Sequence, residues 1–422
     1  MKHSIVILLL MGVALAGALF TGRPILYNLT YSLLGVTVLS YLWAWYNVSW
    51  VQVDRETLSS RAQVGNVAEE RFLLRNRGPL PRLWLEVRDH SELPEHRASM
   101  VINALASGRE HGWAVRTTCR RRGRFRLGPV SLVSGDPFGM FVQRRELTPT
   151  SSIVVFPLMV DLHRFGALSG ELVGGGTMHR RTHYVTTNVA GVREYYPGDS
   201  FNRIHWPSTA RTGRLIVKEF ELDPTADVWL CVDMDRAVQA EQRLEVSFDK
   251  HGDLPVLPAR RATALDPSTE EYLVAAAASI ARYFIAQKRA VGLLAYGERR
   301  EAVQPDRGDR QLSKILETLA VIRAGGDVGI DRLLMAEGLS FGRNSVAVVL
   351  TPSADTAWVE ALRDLSRRGV RGIGVVVDPS SFGSRRRATG VLQALVETGI
   401  LAYRVREGDS LAAALSAPAS PS

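Results

Sequence analysis

The N-terminal stretch carries almost no charge, and this constrains the chain more than anything that follows. Residues 4–20, SIVILLLMGVALAGALF, are apolar behind Lys2, and residues 25–46, ILYNLTYSLLGVTVLSYLWAWY, contain no Asp, Glu, Lys, Arg or His. About 20 apolar residues cross a bilayer, so both stretches read as transmembrane helices joined by the short TGRP link at 21–24. Tyr41, Trp43, Trp45, Tyr46 and Trp50 gather at the far end of the second, as aromatic side chains do at a membrane–water interface. The first stretch has a second reading, a signal peptide, because ALAG at 14–17 offers a small-residue cleavage site. Either way the second helix returns inward. The expected location is the cell membrane, multi-pass or signal plus one span, with everything after about residue 50 facing the cytoplasm. Lys2, Arg23 and Arg55 nearly balance, so the positive-inside pattern adds little.

Beyond the helices, residues 48–160 alternate with period two. Val51 and Val53, Phe72 and Leu74, then Leu83, Leu85 and Val87 are interleaved with polar residues and separated by turns at Gly65 and RGPLP (77–81). Short strands between Gly and Pro turns predict a β-sandwich. Residues 163–191 form a polar, Gly-rich bridge, within a connecting region of 161–225. From 226 to 406 unbroken apolar strands such as DVWLCVDMD (227–235) and SVAVVLTP (345–352) alternate with helices. The first of those helices, from 268, opens with a Ser-x-x-Glu capping box. That order predicts a parallel sheet covered on both faces. Residues 238–267 read as an inserted surface loop and 407–422 as a flexible, small-residue tail.

With 422 residues, a net charge of +9 and a pI near 9.8, the chain suits several domains and an anionic partner. The run RTTCRRRGRFR (116–126) concentrates Arg120, Arg121, Arg122, Arg124 and Arg126 without an acid among them. It reads either as a solvated strand face or as a surface for anionic lipid or nucleic acid. Only Cys119 and Cys231 are present, which suits a reducing compartment, and no Cys/His spacing points to zinc.

Ligands of open α/β sheets bind beyond the carboxyl ends of the strands, which singles out Asp233 and Asp235. Two carboxylates there could hold a divalent cation such as Mg²⁺, or one could cap a loop while the other is solvated. No phosphate loop, nucleophile elbow or triad spacing is present. The densest motif is REYYPGDSFNRIHWPSTARTGRLIVKEFE (193–221), which brings Arg193, Glu194, Tyr195, Pro197, Gly198, Asp199, Arg203, His205, Trp206, Arg211 and Lys218 close in sequence. Ile204 and Trp206 alternate with Arg203 and His205 as on an extended edge. Charge-assisted pairing within such a stretch is easy. The expected role is a clasp between the β-domain and the α/β domain; a partner-docking surface and a catalytic site are the alternatives.

This motif resembles the signature of the domain-of-unknown-function 58 family, and RRGRFRLGPVSLVSGDPFGMF (121–141) is similar to that family's upstream strand pair. The resemblance covers nearly the whole chain. It implies a membrane-tethered protein with a von Willebrand factor A-like α/β domain of Rossmann type, paired with a MoxR-type AAA+ ATPase and with transglutaminase-like or other von Willebrand A-like membrane proteins. It brings no settled activity. Active metal sites of such domains carry DxSxS after the first strand. Here Asp233 matches the first position, Asp235 and Ala237 replace the serines, and Pro352 stands near the later Asp position, so the site is degenerate. The expected function is therefore a non-enzymatic scaffold or adaptor in protein-complex assembly or maturation, with no cofactor. Two alternatives remain: an anionic-lipid or nucleic-acid module using Arg120 to Arg126, and a metal-assisted hydrolase using Asp233, Asp235 and His205.

Overall fold

The computed structural model describes residues 2–147, 150–166, 189–195, 204–220, 226–242, 265–343 and 345–419. Helix α1 spans Lys2–Thr21 and α2 spans Pro24–Val48, with Pro at the start of α2, where its missing N–H costs nothing. The helices lie against one another, Gly17 so near that a Cβ there would stand 3.3 Å from Leu26 Cδ1. Helix α2 is long and apolar enough to cross a membrane; the apolar run of α1, Ile5–Thr21, is shorter.

Ten strands follow: β1 (Val51–Thr57), β2 (Arg61–Gln63), β3 (Val67–Asn76), β4 (Arg82–Asp89), β5 (Met100–Leu105), β6 (Glu110–Thr118), β7 (Gly123–Leu127), β8 (Val130–Gly135), β9 (Val142–Leu147) and β10 (Ser151–Phe156). They form sheets of order β1-β3-β6, β5-β4-β8-β9 and β2-β10-β7. Val51, Val53, Phe72 and Leu74 of the first meet Leu85, Val87, Ile102, Val130 and Leu132 of the second in one core. The period-two pattern predicted this face with one exception. Leu83 is 38% exposed, because Trp84 takes a left-handed backbone (φ 52°) and the fully buried Arg82 occupies the inward place.

The sandwich also encloses charge. Arg55 forms a two-point pair with Glu70 (2.6 and 3.2 Å) and reaches Asp89 at 3.0 Å, while His96 Nε2 lies 3.1 Å from Glu70 and 3.4 Å from Asp89. All four side chains are at most 3% exposed. Burial opposes ionisation of His96, Glu70 and Asp89, and the mutual pairing outweighs it. The His96 pKa is pushed up to about 9, and both carboxyls lie below their ordinary range.

The remaining elements are a hairpin of β11 (Val189–Glu194) and β12 (Ile216–Phe220) flanking α3 (Trp206–Thr212), and then a six-stranded sheet. Its strands are β13 (Val228–Val232), β14 (Val291–Tyr296), β15 (Arg300–Asp306), β16 (Val346–Thr351), β17 (Arg371–Val377) and β18 (Leu401–Val405), in the order β15-β14-β13-β16-β17-β18. All neighbours are parallel except β15, an antiparallel edge strand that the sequence pattern did not reveal. Helices α4 (Thr269–Ala286), α5 (Asp309–Val321) and α9 (Leu411–Ser416) cover one face, and α6 (Ile330–Glu337), α7 (Ala357–Arg367) and α8 (Thr389–Glu397) the other. Strands buried on both faces need unbroken apolar runs, and β13 and β16 are buried at every position.

Two expectations are corrected here. The supposed flexible tail contains α9, whose Leu411 and Leu415 are buried in the sheet's core. The bridge begins as core, since Phe165 is fully buried and stacked on Tyr403 with centroids 4.8 Å apart. Residues 167–188 of the bridge and 243–264 of the inserted loop lie outside the described residues.

Candidate functional site

The sheet order reverses between β13 and β16, and in open α/β sheets the ligand crevice lies beyond the carboxyl ends of the strands at that switch point. Asp233 follows β13 and is 2% exposed. Its Oδ2 accepts from Thr351 Oγ1 at 2.5 Å, and its Oδ1 accepts from the Asp235 N–H at 3.1 Å. Thr351, at the end of β16, also accepts from the Ser353 N–H at 2.9 Å. Burial pushes the Asp233 pKa up to about 7, aided by the negative charges of Asp235 and Asp331 and opposed by these two donors. Gly326 is bridged to Asp235, and any Cβ there would stand 2.1 Å from Tyr296 O. Only glycine permits that approach.

Behind Asp233 the bonds continue. Gln239 Nε2 donates to the Asp233 carbonyl at 2.9 Å, Thr269 Oγ1 donates to Gln239 Oε1 at 2.6 Å, and Thr269 opens α4. The next residues, Glu270 and Glu271, both pair with Arg122. Arg122 is fully buried, and its guanidinium also donates to the carbonyls of Leu319 (3.0 Å) and Ile322 (2.8 Å). Arg323 returns a bond to the Arg122 carbonyl at 3.0 Å. A loop of the β-sheets is thus locked to the first turn of α4, on the same stretch of chain that supports the crevice.

The arginine run therefore does not make one surface. Arg122 leaves it for the interior and Arg120 pairs with Glu95 at 3.1 Å, while Arg121, Arg124 and Arg126 stay exposed. Period-two reading puts alternate residues on one side but cannot show that one arginine of a basic run has two glutamates waiting 148 and 149 positions later.

The 193–221 motif folds into the hairpin. Arg193 and Glu194 end β11 and Lys218 lies in β12, with Glu194 paired to Ile216. The Tyr195 N–H donates to Leu215 O at 2.9 Å, and the His205 N–H to Ile216 O at 2.8 Å. His205 Nδ1 meets Ser208 Oγ at 2.7 Å. Ile204 is buried against Val217, as the alternation predicted, but Trp206 starts α3 instead of an extended edge and is 65% exposed. Pro207, the second helical residue, sits in the first turn, where its missing N–H has no intrahelical partner to lose. Arg211 is exposed, and Arg214 pairs with Glu194 at 2.9 Å on the surface. Pro197, Gly198, Asp199 and Arg203 lie outside the described residues. Among the described residues no group of three or more His, Cys, Asp or Glu side chains gathers as metal ligands, so His205 does not join Asp233 and Asp235.

Residues 191–243 match the family described as "Protein of unknown function DUF58". Over that segment the chain is similar to DUF58 proteins. The DUF58 match runs from the hairpin through β13 to Asp233, Asp235 and Gln239, joining the exposed motif to the crevice in one segment. A curated relative, the uncharacterized protein YeaD of Bacillus subtilis (strain 168), is 25% identical over 243 residues. The alignment covers 54% of this chain and 59% of YeaD, less than two thirds of that relative's length. Among solved structures, the conserved hypothetical protein BatB of Bacteroides thetaiotaomicron is 16% identical, covering 45% of this chain and 95% of that one, at a TM-score of 0.32. The CARDB domain of PF1109 from Pyrococcus furiosus is also 16% identical, covering 25% and 91%, at 0.19.

Proposed function

We propose that this protein is a membrane-anchored, non-enzymatic scaffold that works with a MoxR-type AAA+ ATPase in the assembly or maturation of protein complexes. In this reading α1 and α2 form the anchor, 48–160 a sandwich domain, and 226–406 a von Willebrand A-like domain, all facing the cytoplasm. The observation that carries it is the six-stranded sheet with one antiparallel edge, whose switch-point crevice holds Asp233 with both carboxylate oxygens already engaged by Thr351 and Asp235. A crevice closed on itself in this way supports recognition by surface shape in preference to turnover. The exposed Trp206 and Arg211 of the hairpin, beside residues that belong to the family segment, supply a docking face for the ATPase; exposed aromatic and arginine side chains are the types that dominate protein interfaces. Transglutaminase-like or other von Willebrand A-like membrane proteins are further partners under this reading.

The test uses the full chain in detergent and the MoxR-type ATPase of the same organism. Binding measured with ATP and with ADP is expected to depend on the nucleotide and to weaken at least tenfold in Trp206→Ala combined with Arg211→Glu, a loss of about 1.4 kcal/mol or more. No binding in either state, together with hydrolytic turnover abolished by Asp233→Asn, would replace the scaffold with the hydrolase reading.

A further inference from the structure

The end of α2 does not lead into a tether; it is built into the sandwich. Ser40, Ala44, Asn47 and Val48, one stripe of the last turns, are buried. Asn47 Nδ2 donates to Leu83 O at 3.2 Å, and the Tyr46 hydroxyl accepts from the Leu80 N–H at 2.9 Å. The guanidinium of Arg82 lies 3.6 Å over the Tyr46 ring and donates to the Tyr46 carbonyl at 2.5 Å, while Arg145 donates to the Val48 carbonyl at 3.3 Å. Two cations thus close the carbonyl end of the helix, where the helix dipole favours them.

The part of the sandwich that meets α2 is one rim of the four-stranded sheet. Leu83 and Trp84 begin β4, Ser134 and Gly135 end β8, and Val142 and Gln143 begin β9, with Ser134 paired to Gln143 and Gly135 to Val142. Ser134 Oγ donates to the Trp84 carbonyl at 3.0 Å, closing the row. This rim is apolar and open: Leu80 is 56% exposed, Trp84 69%, Phe138 63% and Val142 68%. Phe138 sits on a fixed turn, since the carboxylate of Asp136 accepts from the N–H groups of Phe138 (3.0 Å) and Phe141 (2.6 Å).

The turn also reaches back along the helix. Phe141 packs edge-on against Tyr41, centroids 5.6 Å apart. Tyr41 lies seven residues before the end of α2, about 10 Å inward along the axis at 1.5 Å per residue. The hydrocarbon core takes up about 20 of the 25 residues of α2; counted from Pro24 it reaches Trp43, so a contact at Tyr41 lies just inside its edge.

We propose that this rim is a second membrane contact, in which Leu80, Trp84, Phe138 and Val142 seat in the headgroup–acyl boundary of the bilayer. It rests on the reading that α2 spans the membrane. The continuity of the rim with the apolar surface of α2 names its occupant: the lipid that surrounds the helix extends over it. Aromatic side chains favour that boundary.

The full chain in mixed phosphatidylcholine–phosphatidylglycerol vesicles tests this. An environment-sensitive dye is placed at Phe138→Cys; Cys119 and Cys231 are fully buried and stay unlabelled in the folded protein. Leu34→Cys on α2 reports the span, and Arg367→Cys, whose native side chain is 67% exposed, reports water. The dye at 138 is expected to be quenched by lipid nitroxides at the headgroup level and several-fold less by iodide than the dye at 367. The dye at 34 should answer to nitroxides deep in the acyl chains. Iodide access at 138 equal to that at 367, with 34 still quenched from the deep lipid, overturns the rim while the span stands. Protection of 138 from both iodide and lipid means that protein covers it, which also overturns the proposal. Failure at 34 removes the span and the rim together. Val142→Cys repeats the measurement from a strand position should the Phe138 turn not tolerate substitution.

Discussion

Arg122→Met is the substitution that most directly probes how the two halves are held together. It keeps most of the aliphatic stem and removes the guanidinium. The carbonyls of Leu319 and Ile322 lose buried donors, and Glu270 and Glu271 retain only Arg323, at 3.3 and 3.5 Å, with the Ala324 N–H. Removing one partner of a buried pair costs about 3–5 kcal/mol. The two glutamates are 20% and 18% exposed, and water and Arg323 recover part of that. The orphaned carbonyls add about 1 kcal/mol or more, which gives a total near 4 kcal/mol by these figures, about 10 °C in melting temperature for a cooperative unit of roughly 200 residues. The assay is thermal unfolding of the detergent-solubilised chain followed by near-ultraviolet circular dichroism. Combining Arg122→Met with Glu270→Gln and Glu271→Gln should cost less than the sum of the separate losses, because the uncompensated charge disappears with its partner. A single variant melting within about 2 °C of the parent, under about 1 kcal/mol on the same scale, would refute the reasoning.

Two pH responses follow from the buried groups. The pKa of His96 rises from 6.5 to about 9 on folding, so its contribution is complete below pH 6.5 and is lost as pH climbs through 9. The loss is on the order of 3 kcal/mol. Glu70 and Asp89, whose carboxyls are depressed, contribute above their ordinary values of 4.5 and 3.8, and this is lost as pH falls below them. Urea denaturation across pH should show both limbs, and His96→Gln should flatten the alkaline one; an unchanged alkaline limb would refute the assignment. Asp233 behaves oppositely to an ordinary carboxylate: with its pKa raised from 3.8 to about 7, its ionisation destabilises the fold as pH rises through that interval. Asp233→Asn should therefore raise the melting temperature more at pH 8 than at pH 5. Millimolar Mg²⁺ should leave the parent unchanged, since only a ligand that prefers the folded state stabilises it; a Mg²⁺-dependent rise lost in the variant would restore the metal reading.

Much of this was legible because single rules governed it. The charge-free stretches, the alternation at Val51, Val53, Phe72 and Leu74, and the fully buried β13 and β16 each follow from one environment acting on consecutive residues. Ser268 accepts the Glu271 N–H at 3.3 Å, as its local spacing predicted. What stayed hidden depends on partners far apart in sequence. Arg55, Glu70 and Asp89 look like ordinary surface charges in alternating strands and His96 like a loop residue, and nothing nearby shows that they face one another. Arg122 sits among exposed arginines of the same type. The antiparallel β15 is polar and contains Pro305, tolerable because an edge strand has one side free of the ladder. Of the candidate site, Asp233 and Asp235 could be placed from the end of an apolar strand, whereas Thr351 and Gln239 could be found only through the fold.

Between α2 and β1 only Ser49 and Trp50 intervene, and Arg145 spans the join by donating to Val48 O at 3.3 Å and Val51 O at 3.4 Å. A flexible leash of n residues lets its cargo wander over roughly 5–6 Å × √n; this junction grants no such excursion. Mounted on a bilayer, the chain would work as a stiff bracket that keeps the sandwich at one height and one tilt. A membrane-bound neighbour would then meet it by lateral diffusion within a thin layer, at a local concentration set by geometry. A pull on the α/β end would arrive at the lipid as leverage on α2, with no slack to absorb it.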